Sequence, residues 1–420
     1  MAIEDDIFAM LNQTEGLEAF SDTDNGSVED YIPSFLPELD KMLGGGGLPV
    51  KFISEVYGGA SSGKSTLSIQ FIKNFQHMKH SYVIYIDVEG TANNQRFIDL
   101  GANPSRILTL TPQKEKDGKV HPLTIEKIGQ KIIDTLAMIN QADDKAVVLF
   151  ILDSIAVTQS DMEDNTQLGN QVVGQQAKAL NNVGKKIASN LQFNNGCLLT
   201  FNQAREDFNS MLPAQYRTQK TVGGLAWEHL LSTRFLIKSG KKITEKSTDK
   251  TGIGKIAKLQ VVKNKVSDSW SHTFELQLIG KKGFDIYYNT VVKGQELGLV
   301  SSGRFPKYIT DNGEEIKGAT LIKLVENFAL PENFDAFREL WQKEVKHYFP
   351  NIYPCLFNVH SYFLESDEPL IKGLRKYYID KQESLPDEEK SYNYKHFMEF
   401  YNQGKLDKEL EKELKETLDK

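Results

Sequence analysis

Residues 58–65, GGASSGKS, place glycines, small hydroxyl side chains and one lysine in the order GxxxxGK[ST]. Glycines let the backbone wrap so that successive N–H groups face phosphate oxygens, and the lysine can neutralise the phosphate charge. The hydroxyl that follows the lysine can ligate Mg²⁺, which makes Ser65 a metal-ligand candidate. The pattern predicts a binding loop for ATP and Mg²⁺. Its candidate nucleotide-binding residues are Gly58, Gly59, Ala60, Ser61, Ser62, Gly63, Lys64, Ser65 and Thr66.

The flanking residues support this reading over a chance match in a turn. The run FISEVY before the loop is typical of a strand, and TLSIQFIKNF after it is typical of a helix. A strand, the loop and a helix are the context that the mechanism requires, because the N-terminus of a helix adds a favourable dipole for phosphate.

Two carboxylates follow other strand-like runs. Asp153 ends the apolar run AVVLFILD, and Glu89 comes two residues after YVIYID. Asp153 is predicted to bind the nucleotide and its metal ion from the end of a neighbouring strand. Glu89 can polarise the water that attacks the γ-phosphate. From the residues alone, Asp153 as a strand-end cap and Glu89 as a solvated loop residue stay open as alternatives.

The elements that must position these residues alternate along the chain. From Phe35 to about Lys282, short β-branched or aromatic runs alternate with helical patterns, which is the signature of an α/β fold with a mostly parallel twisted sheet. Within this part, residues 173–191 carry an apolar face at spacings of three and four that is predicted to pack on the sheet. After Gly283 the pattern changes to turns and an aromatic-rich tail, which predicts a smaller α-rich domain.

The expected domains are therefore a short N-terminal segment, a core and a C-terminal domain. Residues 1–35 are a candidate for an arm that interlocks protomers. Residues 36–282 form the core, and residues 283–420 form the C-terminal domain with an unassigned α-rich extension.

The composition is that of a soluble globular protein. The chain has 420 residues, of which 40% are hydrophobic and 25% charged, and its two cysteines, Cys197 and Cys355, form no CxxC pair. An acidic N-terminus and the lack of a long apolar run predict a cytoplasmic protein with no membrane partner. The formal net charge is −7, but ten Lys or Arg stand against two acids between Arg234 and Lys265. This stretch is either a local basic surface or a solvated β-hairpin.

Six segments together resemble the RecA recombinases, including their divergent phage-encoded members. They occur in this order: LDKMLGGGGLPVKFISEVYGGASSGKST, YIDVEG, FILDSIA, TFNQAR, VGGLAW and VVKNK. The resemblance covers roughly Phe35 to Asn327. It is specific because VVKNK and the spacing between NQAR and the following GG are not general features of P-loop ATPases.

The resemblance implies roles at the nucleotide site. Glu89 corresponds to the catalytic glutamate of the family, and Gln203 corresponds to a glutamine that senses the γ-phosphate and relays its presence to a DNA-binding loop. Lys263 and Lys265 correspond to lysines that reach the ATP site of the adjacent protomer, so Glu89, Lys64, Lys263 and Lys265 are the candidate catalytic residues. Arg96 stands where many relatives carry an adenine-stacking tyrosine, and its guanidinium plane can also stack.

The resemblance also implies a DNA-binding surface. The segment from Arg205 to Val222 corresponds to a flexible DNA-binding loop in which basic side chains contact phosphates and Phe208, Met211 and Tyr216 stack on bases. Two lysines on the helix before it correspond to positions that grip the DNA backbone. The DNA-binding candidates are Lys178, Lys185, Arg205, Phe208, Met211, Tyr216, Arg217, Lys220, Gly223 and Gly224.

The function expected from the resemblance is that of a DNA-dependent ATPase that forms a helical homo-oligomeric filament on single-stranded DNA. It would pair that strand with a homologous duplex in recombination and repair. Single-strand-binding and loader proteins are candidate partners. Two alternatives stay open: a ring helicase with the same core, and a nucleotide switch or recombination mediator that scarcely hydrolyses ATP.

Overall fold

The computed structural model of the chain describes residues 28, 31–76, 80–114, 120–164, 174–206, 219–244, 251–267 and 272–348. Almost all of the predicted N-terminal arm and the extension after residue 348 lie outside the described residues. The main structure is an eight-stranded sheet. Its strands are β1 (Ile53–Gly58), β2 (Ser81–Asp87), β3 (Ile107–Leu110), β4 (Val147–Asp153), β5 (Gly196–Gln203), β6 (Thr233–Ile243), β7 (Gly254–Asn264) and β8 (Thr273–Ile279).

The strand order across the sheet is β8-β7-β6-β1-β5-β4-β2-β3. Six neighbouring strands, from β6 to β3, run parallel, and β7 and β8 continue the sheet as antiparallel strands. The mostly parallel α/β core that the alternating pattern predicts is therefore confirmed. The basic stretch 234–265 includes the antiparallel pair β6–β7, which agrees with the hairpin alternative for its backbone.

Helices cover both faces of the sheet. They are α1 (Pro37–Leu43), α2 (Lys64–Phe75), α3 (Asn94–Asp99), α4 (Ile125–Ala142), α5 (Asp161–Asp164), α6 (Gln175–Phe193), α7 (Gly224–Leu230), α8 (Ile286–Glu296), α9 (Leu321–Phe328) and α10 (Phe334–Tyr348). Short 3-10 helices occur at Pro104–Arg106, Ile155–Val157 and Pro331–Asn333. None of these described helices has the length and apolar character needed to cross a membrane.

Two-residue strand pairs join Tyr31–Ile32 to Leu48–Pro49, Gln113–Lys114 to Val120–His121, and Arg205–Glu206 to Gln219–Lys220. A further hairpin joins Lys307–Ile309 to Glu315–Lys317.

Strand β4 shows how the core forms on both sides. Its successive side chains alternate between faces, so Leu149 and Ile151 belong to one hydrophobic cluster whereas Phe150 and Leu152 belong to the other. A strand that is buried on both faces reads as a continuous apolar run, which is why this element was recognisable in the sequence. The predicted packing face of α6 is buried at Leu180, Gly184, Ile187 and Leu191.

The elements after Gly283 share a hydrophobic cluster with the sheet. Phe337 and Trp341 of α10 lie in the same cluster as Phe35 near α1 and Leu276 of β8. Helix α10 therefore packs against the N-terminal part of the described chain as well as against α8.

Candidate nucleotide-binding site

The glycine-rich loop connects the end of β1 to the start of α2. Gly63 precedes α2 with φ 114°, and Ser61 also has a positive φ of 55°. A Cβ at Gly58 would lie 2.1 Å from the Ile237 carbonyl oxygen, so the first glycine is required by the close approach of β6. At Gly59 a Cβ would meet nothing within 4 Å, so the loop is open at this position. This shape fits the approach of phosphate to backbone N–H groups.

Lys64 lies at the mouth of this loop. Its ammonium donates hydrogen bonds to the carbonyl oxygens of Gly58 at 2.9 Å and Gly59 at 2.8 Å. Partial burial lowers the pKa of Lys64, while the negative charges of Asp153 and Glu89 act in the opposite direction. The lysine is thus held over the loop, where it can meet incoming phosphate charge.

Ser65 and Asp153 form a pair suited to a divalent cation. The Ser65 hydroxyl donates to Asp153 Oδ2 at 2.9 Å, and the Tyr85 hydroxyl donates to the same oxygen at 2.8 Å. Burial raises the pKa of Tyr85 and the adjacent carboxylate adds to the effect, so Tyr85 stays a neutral donor that orients Asp153. One hydroxyl and one carboxylate are the protein oxygens that Mg²⁺ takes when phosphates and waters complete its shell.

The residues present fit a nucleotide phosphate with Mg²⁺. The Ser62 hydroxyl is buried and has no hydrogen-bond partner among the described residues, so a ligand at the loop can supply one. Nowhere in the described part of the chain do three or more His, Cys, Asp or Glu side chains gather into a metal-binding group. The oxygen pair at Ser65 and Asp153 is accordingly the candidate that the described residues offer for the metal.

The strand register brings the other predicted nucleotide-site residues to the same edge. Gly58 is the register partner of Gln203, and Asp87 is the partner of Asp153. Glu89 follows two residues after Asp87 and is exposed, and Gln203 is exposed as well. Since the carboxyl ends of parallel strands form the ligand-binding edge of an α/β sheet, this is the expected place for nucleotide chemistry.

Arg96 lies in α3 beside the first turn of α2. Its guanidinium donates to the Gly280 carbonyl at 3.2 Å and to Thr66 Oγ1 at 3.4 Å. The side chain is half-buried at the margin of the loop. Its predicted contact with the adenine base stays a prediction.

Lys263 and Lys265 lie away from the glycine-rich loop of their own chain. Lys263 is the register partner of Arg234, and Arg234 is in turn the register partner of Glu55 in β1. Glu55 precedes Gly58 by three residues, which is roughly 10 Å along the strand. Both ammonium groups donate to carbonyl oxygens at the C-terminal end of α7: Lys263 to Glu228 and His229, and Lys265 to His229. Burial, followed by the charge of Lys265, lowers the pKa of Lys263 to about 8.

The predicted DNA-binding residues are only partly described. Lys178 and Lys185 are exposed on α6. Gly223 precedes α7 with a φ of 110°, and Gly224 begins it with a φ of 69°. Arg205 and Lys220 are register partners in a two-stranded pair, so the backbone closes the segment between them at its base. Phe208, Met211, Tyr216 and Arg217 lie outside the described residues.

A buried polar network under this edge of the sheet was not predicted from the sequence. Fully buried Glu55 accepts from Arg234 Nε at 2.8 Å through one carboxylate oxygen. Its other oxygen accepts from Asn202 Nδ2 and from Trp227 Nε1, each at 3.0 Å. The available signal was a glutamate inside the apolar run FISEVY, directly before the glycine-rich loop. A carboxylate in such a strand needs partners, because burying an unpaired charge is costly.

The comparisons with known proteins agree with this geometry. The sequence profile of the RecA N-terminal domain matches residues 16–285. The chain is 31% identical over 230 residues to Protein RecA of Lactococcus lactis subsp. cremoris strain MG1363, a match that covers 54% of each chain. It is 27% identical over 296 residues to Protein RecA of Petrotoga mobilis, covering 70% of this chain and 73% of that protein. The matched part thus spans about half the length of the Lactococcus relative.

Proposed function

The chain belongs to the RecA family, and we propose from this that it is an ATP-dependent DNA recombinase. In the proposed reaction the protein assembles as a filament on single-stranded DNA and pairs that strand with a homologous duplex. ATP hydrolysis is stimulated by DNA and requires Mg²⁺. The names of the relatives identify them as RecA proteins, which supports a role in recombination and repair.

One observation carries the proposal beyond family membership: the register that aligns Gly58 with Gln203. Gly58, the first residue of the loop proposed to bind phosphate, ends β1. Gln203, the candidate sensor of the γ-phosphate, ends the neighbouring strand β5. Two residues after Gln203, Arg205 enters the strand pair that closes the segment 207–218. The candidate γ-phosphate sensor and the start of the candidate DNA-binding segment are therefore only two residues apart along the chain. This proximity supports linkage between ATP binding and DNA affinity.

The residues of the loop bind and orient the nucleotide in this proposal. Backbone N–H groups of residues 59–65 and the Lys64 ammonium hold the phosphates, and Ser65 and Asp153 hold Mg²⁺. When bound, the triphosphate would supply the electrophilic γ-phosphorus and the leaving group, and Mg²⁺ would withdraw negative charge from the phosphate oxygens. Glu89 orients the attacking water and accepts its proton.

Assembly completes the site in the proposal. Lys263 and Lys265 of one protomer contribute positive charge to the phosphates held by its neighbour, where that charge stabilises the transition state. Their distance from the loop of their own chain supports an action between protomers. In the single chain both lysines donate hydrogen bonds to a carbonyl oxygen of α7. They would give up these bonds when they contact the phosphates of the neighbouring protomer.

The decisive experiment is D-loop formation by the purified protein with ATP, a labelled oligonucleotide and a supercoiled plasmid. We expect a labelled joint molecule with homologous plasmid, and none with heterologous plasmid or without ATP. Single-strand-stimulated phosphate release is measured in parallel. Failure to form joint molecules would overturn the proposal. Closed hexamers in electron micrographs would then favour the ring helicase, and a lack of DNA-stimulated release would favour the switch.

A further inference from the structure

Glu55 lies between the nucleotide-binding loop and the described residues at the two ends of the candidate DNA-binding segment. It belongs to β1, whose last residue, Gly58, begins the glycine-rich loop. The two partners of Glu55 in neighbouring strands, Asn202 of β5 and Arg234 of β6, are themselves buried. The carboxylate therefore joins the three central strands of the sheet, and through Trp227 it also reaches α7.

The network reaches both ends of the part of the candidate DNA-binding segment that the strand pair closes, residues 205–220. Before the segment, Asn202 Oδ1 accepts from the backbone N–H of Gln203 at 2.9 Å. After the segment, Asn202 Nδ2 donates to the Val222 carbonyl at 2.8 Å, and an Arg234 Nη donates to Thr221 Oγ1 at 2.6 Å. Glu55 is thus connected through one intervening side chain, that of Asn202 or Arg234, to the residues before the segment and to those after it.

Because its charged groups are buried, the network is suited to transmit a displacement of one strand to its neighbours. Its charges are almost fully withdrawn from water, where hydrogen bonds are strong and an unpaired partner is unfavourable. The guanidinium of Arg234 also lies 4.3 Å from the ring centre of Tyr57, the residue before the loop. If β1 or Gln203 moves, breaking one of these hydrogen bonds would leave a buried polar group unpaired, which is unfavourable. The bonded groups are therefore expected to move together.

We propose that Glu55 is a positioning residue that couples the nucleotide site to the segment 205–220 through Asn202 and Arg234. The inference rests on the proposed function, since it concerns DNA-stimulated ATP turnover. Glu55 contacts neither nucleotide nor DNA in this scheme. It fixes the distance between the end of β5 and residues Thr221 and Val222, so that a change at Gln203 is felt at the base of the segment.

The first test removes the hydrogen bond between Arg234 and Thr221. Thr221→Val removes the hydroxyl that accepts from Arg234 and keeps the β-branched shape, whereas Thr221→Ser keeps the hydroxyl. We expect Thr221→Val to lower the stimulation of ATP turnover by single-stranded DNA by about fivefold or more, in the range of typical coupling between sites. The KM for ATP without DNA should be unchanged, and Thr221→Ser should restore stimulation.

The second test acts on the carboxylate itself. Glu55→Gln keeps the size of the side chain but removes the charge that pairs with Arg234. The matched control is Glu228→Gln, because Glu228 also pairs with Arg234, at 3.1 Å, but is partly exposed and forms no hydrogen bond to Thr221 or Val222 in the described structure. We expect Glu55→Gln to abolish DNA stimulation and Glu228→Gln to retain it. Unfolding temperatures of both variants separate a folding defect from a coupling defect, and Thr221→Val decides the question if Glu55→Gln does not fold.

The outcomes distinguish this inference from the proposed function. A wild-type chain that shows no stimulation by single-stranded DNA overturns both. A stimulated wild type together with an equally stimulated Thr221→Val overturns the coupling alone. Equal losses in Thr221→Val and Thr221→Ser also overturn it, since the hydroxyl would not be the element that matters.

Discussion

Lys64 is proposed to bind the nucleotide phosphates, whereas Glu89 is proposed to act only in ATP hydrolysis. The Lys64 ammonium lies over the loop carbonyls, whereas Glu89 is exposed beyond the end of β2. The negative charge of Glu89 nevertheless contributes to the pKa of Lys64, which places the two groups within electrostatic reach. A substitution at each residue should therefore give a different phenotype.

Lys64→Ala is expected to weaken ATP binding by about 100-fold, since truncating one partner of a hydrogen-bonded charge pair costs about 2–5 kcal/mol. Titration with a fluorescent ATP analogue measures the effect. Lys131→Ala, at an exposed position of α4, is the control and should bind like the wild type. Unchanged affinity in Lys64→Ala would contradict the assignment of the loop.

Glu89→Gln is expected to preserve ATP binding and to slow turnover by about 10²–10⁴-fold, the usual contribution of a general base. Because ATP would persist, complexes with single-stranded DNA should also persist. Dissociation from labelled DNA after dilution into competitor measures this. Release as fast as that of the wild type would remove Glu89 from the role of base.

At the scale of elements, the segment closed by the Arg205–Lys220 pair is the proposed contact with DNA phosphates. Arg217→Ala combined with Lys220→Ala should reduce the dependence of log K on log salt concentration by about 1.4, or about 0.7 for each phosphate contact with a single strand. Fluorescence anisotropy at several salt concentrations gives the slope. Lys127→Ala with Lys131→Ala, two exposed lysines of α4, is the matched pair that should keep it. An unchanged slope in the first pair would move the primary DNA site elsewhere.

Helix α10 carries a buried carboxyl, Glu344, through which we expect the stability of the fold to depend on pH. Burial raises the pKa of Glu344 to about 8, and nearby Glu38 adds to the rise while Lys293 opposes it. The folded chain then holds a proton that the unfolded chain releases near pH 4–5, so the free energy of unfolding should fall between about pH 5 and pH 8, by up to about 1.4 kcal/mol per unit. Urea unfolding across this range should show a smaller fall in Glu344→Gln. Glu314→Gln, at an exposed position that is not among the charges acting on Glu344, should behave like the wild type. Equal slopes in all three chains would show that the carboxyl does not titrate in this way.

The elements that could be predicted from sequence are those with a local signal. Strand β4 is a continuous apolar run, and the loop at Gly58 has the spacing GxxxxGK[ST] that is typical of phosphate-binding loops. The contacts of Glu55 could not be predicted, because its partners Asn202, Trp227 and Arg234 lie 147–179 positions away along the chain. Such contacts depend on strand order, which periodicity does not encode. Arg96 shows the same limit, since its contact with Gly280 depends on how α3 lies against the end of β8.

For the whole molecule, the positions of Lys263 and Lys265 support the proposal that a single protomer does not complete the nucleotide site. Both lysines lie near the start of β6, and the loop they are proposed to serve lies at the end of the parallel strand β1. A head-to-tail assembly brings opposite sides of successive protomers together, and it generates helical filaments when the rotation does not close. Turnover should therefore rise with protein concentration as well as with DNA.

Mixing two inactive variants tests this arrangement directly. Lys263→Ala keeps Glu89, and Glu89→Gln keeps Lys263, so each variant alone lacks one half of every interface. In a random one-to-one filament, about a quarter of the interfaces join an intact Glu89 to an intact Lys263, because a head-to-tail interface takes a different surface from each protomer. We therefore expect the mixture to recover up to about a quarter of wild-type DNA-stimulated phosphate release, while either variant alone stays near background. Nucleotide binding by isolated Lys263→Ala should be normal, since Lys64 and Ser65 are unchanged. A mixture no more active than its components, or a fully active Lys263→Ala, would place the lysine outside the neighbouring site.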